Sequence, residues 1–161
     1  MTYRRFLPLF ALLLAACGSD PADVAGDYTV AVTNGANECM LGMWNEGDTN
    51  SGIDMVISQS GSSANADVRG LTGGFLDFWL GASVFSGDVD GDELDLLLIG
   101  TTEQTAPGCT YTIDAELDAT LDGDVLLGTI TYRPNPIEGT CGILEDCRNV
   151  QDFNGTRPPT P

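Results

Sequence analysis

Histidine and lysine are missing from this sequence altogether. Without them there can be no Ser-His-Asp triad, no histidine-ligated zinc and no lysine Schiff base, so the commonest catalytic constellations are closed to it. Positive charge is scarce as well: six arginines stand against 24 aspartates and glutamates, a net charge of −18. Such a surface repels nucleic acid phosphates and anionic lipid headgroups, and neither is expected as a partner. Long apolar runs are lacking. The run from Phe6 to Leu14 is interrupted by Pro8 and falls short of the roughly 20 residues that cross a bilayer core. Helical periodicity is lacking too, and only Phe75 to Leu80 reads as a helical turn.

What is present begins with an ordered series of signals. Arg4 and Arg5 precede the apolar run, and Leu14-Ala15-Ala16-Cys17 closes it, the three-part layout of a secretory signal. The last four residues resemble the lipobox of bacterial lipoproteins, an aliphatic residue, two small residues and a cysteine, and match it at every position. The resemblance implies removal of residues 1–16, a lipid on Cys17 and a membrane held through that anchor. Gly18, standing where an aspartate would retain such a protein in the inner membrane, implies the outer membrane, with the domain periplasmic or on the surface. Residues 17–25 then form the lipidated cysteine and its tether, 26–157 the folded domain and 158–161 a tail. The eight residues from Gly18 to Ala25 span at most roughly 30 Å. Loss of Arg4 and Arg5 leaves four arginines against 24 acids, a net charge of −20 that keeps an exported domain dispersed.

Once Cys17 is spent, four cysteines remain: Cys39, Cys109, Cys141 and Cys147. In an exported chain an even number reads as two disulfides, and the spacings lack the close pairs of a zinc ribbon. Between Cys109 and Leu121 apolar or small residues alternate strictly with Thr, Asp and Glu, the pattern of a strand with one dry and one wet face. Asp122-Gly123 then leads into a strand from Val125 to Arg133, because glycine accepts the positive φ that tight hairpins need. Asp90-Gly91 joins Ser83–Val89 to Leu94–Gly100, and Ser60-Gly61-Ser62 joins Ile53–Gln59 to Ala64–Gly70. Asp27–Thr33 opens the series and Asn149–Thr156 ends it, giving eight strands.

Followed as a meander, these strands put the tight turns 60–62, 90–92 and 122–123 at one end and the connections 35–52, 71–82, 101–108 and 134–148 at the other. The fold expected is an all-β, eight-stranded antiparallel up-and-down barrel, with a flattened sandwich as runner-up; closure removes exposed edges. Polar outer faces such as Asp114, Glu116 and Asp118 exclude a porin-like barrel facing lipid. The N-terminus enters at the short-turn end, so the anchor belongs there and the long loops point away from the membrane. All four cysteines fall at the loop end. Barrel neighbours favour Cys39 with Cys147 and Cys109 with Cys141, one of three connectivities open to four cysteines.

Gly26-Asp27-Tyr28 resembles the G-x-W opening of lipocalins and avidins, with tyrosine in place of tryptophan. That resemblance implies a meander barrel holding a small molecule at its open end. The glycine-rich meander, its late cysteine-rich loop and the ending Gly155-Thr156-Arg157-Pro158-Pro159 resemble small lipoproteins of myxobacteria-like species, which implies no activity.

Several features invite chemistry. Asp88, Asp90, Asp92 and Glu93 surround Gly91 with oxygen ligands suited to calcium, but glycine is out of place for an EF-hand and a solvated hairpin needs the same residues. Paired carboxylates could support glycoside hydrolysis, although most acids lie on the polar phase of strands. Asn154-Gly155-Thr156, an acceptor pattern elsewhere, reads as a strand end. Trp44 in the first long loop and Phe75, Phe78 and Trp79 in the second gather aromatics at the open end, where they either line a site or plug the barrel. The reading is a non-enzymatic envelope lipoprotein that binds a small molecule or an envelope protein through its loop end, without a cofactor. Its alternatives are a structural envelope component and a carboxylate-based hydrolase.

Overall fold

Alternating apolar and polar side chains build a wall with a dry and a wet face, and a computed structural model, which describes residues 19–159, shows that wall closed on itself. The signal, Cys17 and Gly18 lie outside the described residues. Among the described residues, nine strands and one α-helix follow in order: β1 (Gly26–Asn37), β2 (Thr49–Ser60), β3 (Ser63–Val68), α1 (Gly70–Trp79), β4 (Val84–Asp90), β5 (Glu93–Leu98), β6 (Gln104–Ala106), β7 (Cys109–Asp122), β8 (Val125–Gly139) and β9 (Asn149–Thr156). Strands β1 to β5 follow one another round the ring, β5 pairs with β7 from Glu93↔Thr120 to Leu98↔Ala115, and β9 returns to β1 at Thr29↔Thr156. The result is a closed eight-stranded antiparallel barrel, with β6 outside the ring against the first residues of β7.

The sequence pattern placed the strands but not all their lengths. β1 runs four residues beyond Thr33, β2 starts at Thr49 and β8 runs to Gly139, so the expected loops 35–52 and 134–148 shrink to 38–48 and 140–148. Part of the expected loop 71–82 is helix, and β6 arises within 101–108. Each tight turn has two loop residues, Gly61-Ser62, Gly91-Asp92 and Gly123-Asp124, with the glycine first at φ +61 to +63. Glycine in the first position alone is the type II′ arrangement, so Asp90 and Asp122 end their strands rather than form the turns.

These turns make the base. Residues 19–25, the described part of the expected tether, lie across it: the Ala22 amide donates to the Gly91 carbonyl (2.6 Å) and the Val24 amide to Gln59 Oε1 (2.8 Å), and Val24 is wholly buried. Arg157 fastens the base from the other chain end. Its Nη1 donates to the carbonyls of Asp23 (2.9 Å) and Ala25 (2.7 Å), its Nε to Asp124 (3.1 Å), and its guanidinium stands 5.8 Å over the Tyr28 ring. Tyr28, Ile57, Ala64, Val89, Leu94, Ala119 and Leu126 are buried in the main core. A second, smaller core at the opposite end surrounds the disulfides Cys39–Cys147 and Cys109–Cys141, the expected pairing, with Leu144 among them.

Candidate functional site

The barrel is filled at its base and hollow toward its loops. A cavity of about 380 Å³ lies in the mouth half, its floor formed by Leu117, Ile130, Phe85 and Phe153 and its sides by inward residues such as Val30, Val32, Ile53, Met55 and Ile113. Helix α1 roofs one side with Thr72, Phe75, Leu76 and Trp79, and the 38–48 loop covers the other with Leu41, Met43 and Trp44. Met43 and Phe75 line the cavity while remaining 76% and 43% exposed, so the space opens to solvent between loop and helix. Among the described residues, not one charged side chain lines it.

Trp44 and Trp79, 35 positions apart, meet across Tyr132 of β8: each indole lies 5.7 Å from the phenol ring, and Phe75 stacks 5.8 Å from Trp79. The four rings form one aromatic row along the cavity. Of the four aromatic candidates, Trp44, Phe75 and Trp79 face the cavity. Phe78 does not; it sits on the outer side of α1, 80% exposed. Helical geometry separates it, because Thr72, Phe75, Leu76 and Trp79 share one face, while Phe78 falls beside Leu71 on the other.

Polar groups hold this arrangement. The wholly buried Asn149 accepts from the Cys39 amide (2.9 Å) and donates to Asn37 Oδ1 (3.0 Å). Asn37 in turn donates to the carbonyls of Leu41 (2.9 Å) and Trp44 (3.1 Å) and accepts from the Leu41 amide (2.8 Å), so two asparagines shape the loop that carries Trp44. The indole Nε1 of Trp44 donates to the Gly35 carbonyl (2.8 Å), and Gln104 Nε2 donates to the Trp79 carbonyl (3.0 Å). Inside, the Tyr132 hydroxyl donates to Gln151 (2.9 Å) and Gln151 to Asn34 (2.7 Å). Burial pushes the Tyr132 phenol far above its ordinary pKa, so it stays protonated. Tyr132, Gln151, Asn34 and Asn149 carry one sequence signal, a polar group on the dry phase of a strand, whereas Asn37 lies off that phase, beyond the register shift between Asn34 and Asn37.

The remaining candidates sit elsewhere. Among the described residues, no group of three or more Asp, Glu or Cys side chains is placed to hold a metal ion. Asp90 at the Gly91 turn accepts from Ser19 Oγ at 2.6 Å. A close carboxylate pair does exist, Asp95 and Asp118, directly opposite each other where β5 meets β7. Partial burial, a hydrogen bond with Asp95, and the charges of Glu116 and Asp95 push Asp118 up to about 6, opposed by Arg133. The pair lies in a shallow hollow on the outer wall with Glu93, Thr120 and Leu127. Neither carboxyl lines the cavity, so the pair is not part of the mouth site. Asn154-Gly155-Thr156 is the end of β9.

No protein-family model matches the chain, and neither a curated protein nor a solved structure matches it.

Proposed function

We propose that this protein is a non-enzymatic lipoprotein, held on the outer membrane through Cys17, that carries a small, largely apolar molecule in the mouth half of its barrel. The observation that carries the reading is the cavity itself: about 380 Å³ of uncharged, aromatic-rich space left open between α1 and the 38–48 loop. A barrel with only a structural task gains nothing from a hollow half, since each unfilled methylene-sized space forfeits packing energy. The base and the mouth then divide the labour: residues 19–25 run across the base, which supports an anchor at Cys17 on the side opposite the opening.

Two measurements test this. Nile red, an uncharged dye that brightens in apolar surroundings, is expected to bind the purified protein saturably, and Val32→Phe, which grows a ring into the cavity from β1, is expected to weaken that binding severalfold without lowering the melting temperature by more than a few degrees. Equal brightening with the filled variant would place the dye on the exposed Leu71 and Phe78 instead and defeat the reading. For the anchor, Cys17→Ser is expected to leave an unprocessed precursor or release the domain from the membrane fraction. A variant that matured and stayed with the membrane like its parent would show that Cys17 carries no lipid.

A further inference from the structure

The cavity's hydrogen bonds have a direction, and the direction begins at a group that cannot be reversed. The Asn45 main-chain carbonyl can only accept, so the Asn34 amide nitrogen must face it (3.2 Å). Asn34 Oδ1 therefore points to Gln151, whose Nε2 donates to it, and Gln151 Oε1 is left facing Tyr132. The single proton of the Tyr132 hydroxyl is thus spent on Gln151. What the phenol oxygen keeps is lone pairs, and it can serve a ligand only as an acceptor. A second carbonyl orients Gln104 in the same way: its Nε2 donates one proton to the Trp79 carbonyl, and the amide keeps its oxygen as an acceptor beside one remaining N–H.

The rest of the lining selects against charge. No Arg, Asp or Glu among the described residues lines the cavity, so a carboxylate entering it would lose its hydration with no counter-charge, inside a protein of net charge −20 once the signal is removed. The row Trp44, Tyr132, Trp79 and Phe75 offers ring faces. We infer that the cavity takes an uncharged ring compound carrying a hydroxyl or N–H donor, and that Tyr132 is the residue that recognises the donor. This rests on the ligand-binding reading of the same cavity.

The test compares three probes by tryptophan emission, excited at the red edge where phenols do not absorb, using the mature protein in lipid nanodiscs with empty nanodiscs as reference. The probes are 4-tert-butylphenol, its methyl ether 4-tert-butylanisole, and the anion 3-(4-hydroxyphenyl)propanoate. The phenol is expected to bind about fivefold more tightly than the ether, the worth of one net hydrogen bond, and at least roughly tenfold more tightly than the anion. Tyr132→Phe is expected to bring phenol and ether within about twofold of each other, and a preference of about fivefold kept in that variant would assign recognition of the donor to another acceptor of the lining, such as Gln104 or Tyr111, and overturn the role given to Tyr132. Equal binding of phenol and ether by the parent protein, or an anion as tight as the phenol, would overturn the inference while leaving the cavity a binding site; these parent-protein comparisons stand even if the variant fails to fold. A parent protein that responds to none of the three would overturn both.

Discussion

Asp118 and its partner Asp95 meet where the barrel closes, and their meeting costs the fold something at neutral pH. The two carboxyls are opposite each other in the β5–β7 register, with Glu93 and Glu116 nearby and Arg133, whose Nε lies 3.7 Å from Glu116, as the nearby cation. Gly87 and Gly128 flank the seam, because a Cβ at either would overlap the main-chain oxygen of Asp95 or Asp118. Since the folded-state pKa of Asp118 is raised from 3.8 to about 6, the native state holds that proton more tightly than the unfolded chain does. The associated stability is present at acid pH and is lost as pH rises through about 6. Asp118→Asn is therefore expected to raise the melting temperature at about pH 8, with the gain over the parent shrinking to nothing by about pH 4. A gain that was the same at both pH values would show that the pair is not the cause.

At the scale of elements, what could be read from sequence was whatever depends on a short period. Strand β9 begins and ends at Asn149 and Thr156 as expected, and β7 differs by a single residue, because strict alternation leaves little freedom in register. Helix α1 was legible only as a turn near its end. Its sequence, Gly70 to Trp79, contains three glycines and carries apolar residues on its outer face too, at Leu71 and Phe78, so local propensity argues against it and its inward face is masked. It forms because Leu76 and Leu80 bury themselves in the core and because Gly73 lets the helix approach the Val68 carbonyl more closely than any Cβ would allow. The candidate site was legible in the same partial way. Counting strand directions brought Trp44 and Trp79 to one end, but Phe78 needed the helix to be known before its outward direction could be seen. Tyr132 and Gln151 required the barrel in three dimensions, since β8 and β9 must be neighbours before a tyrosine and a glutamine 19 positions apart become partners.

Seen whole, the molecule has two unlike ends. The base is packed solid, crossed by residues 19–25 and fastened by Arg157, and the mouth is braced by two disulfides and a pair of asparagines around an opening that its own side chains do not fill. The chain contains only two tryptophans, and both lie on that cavity. Their two indole N–H resonances in a proton–nitrogen spectrum therefore report the claimed site with nothing else overlaid. Titration of the isotopically labelled protein with 4-tert-butylphenol is expected to move both resonances together along one saturable curve, with Tyr132 and Gln151 shifting alongside and Phe78 unmoved. Indole signals that stay fixed while shifts gather around Leu71 and Phe78, or while no residue moves at all, would contradict the central claim that the mouth of this barrel is a ligand site.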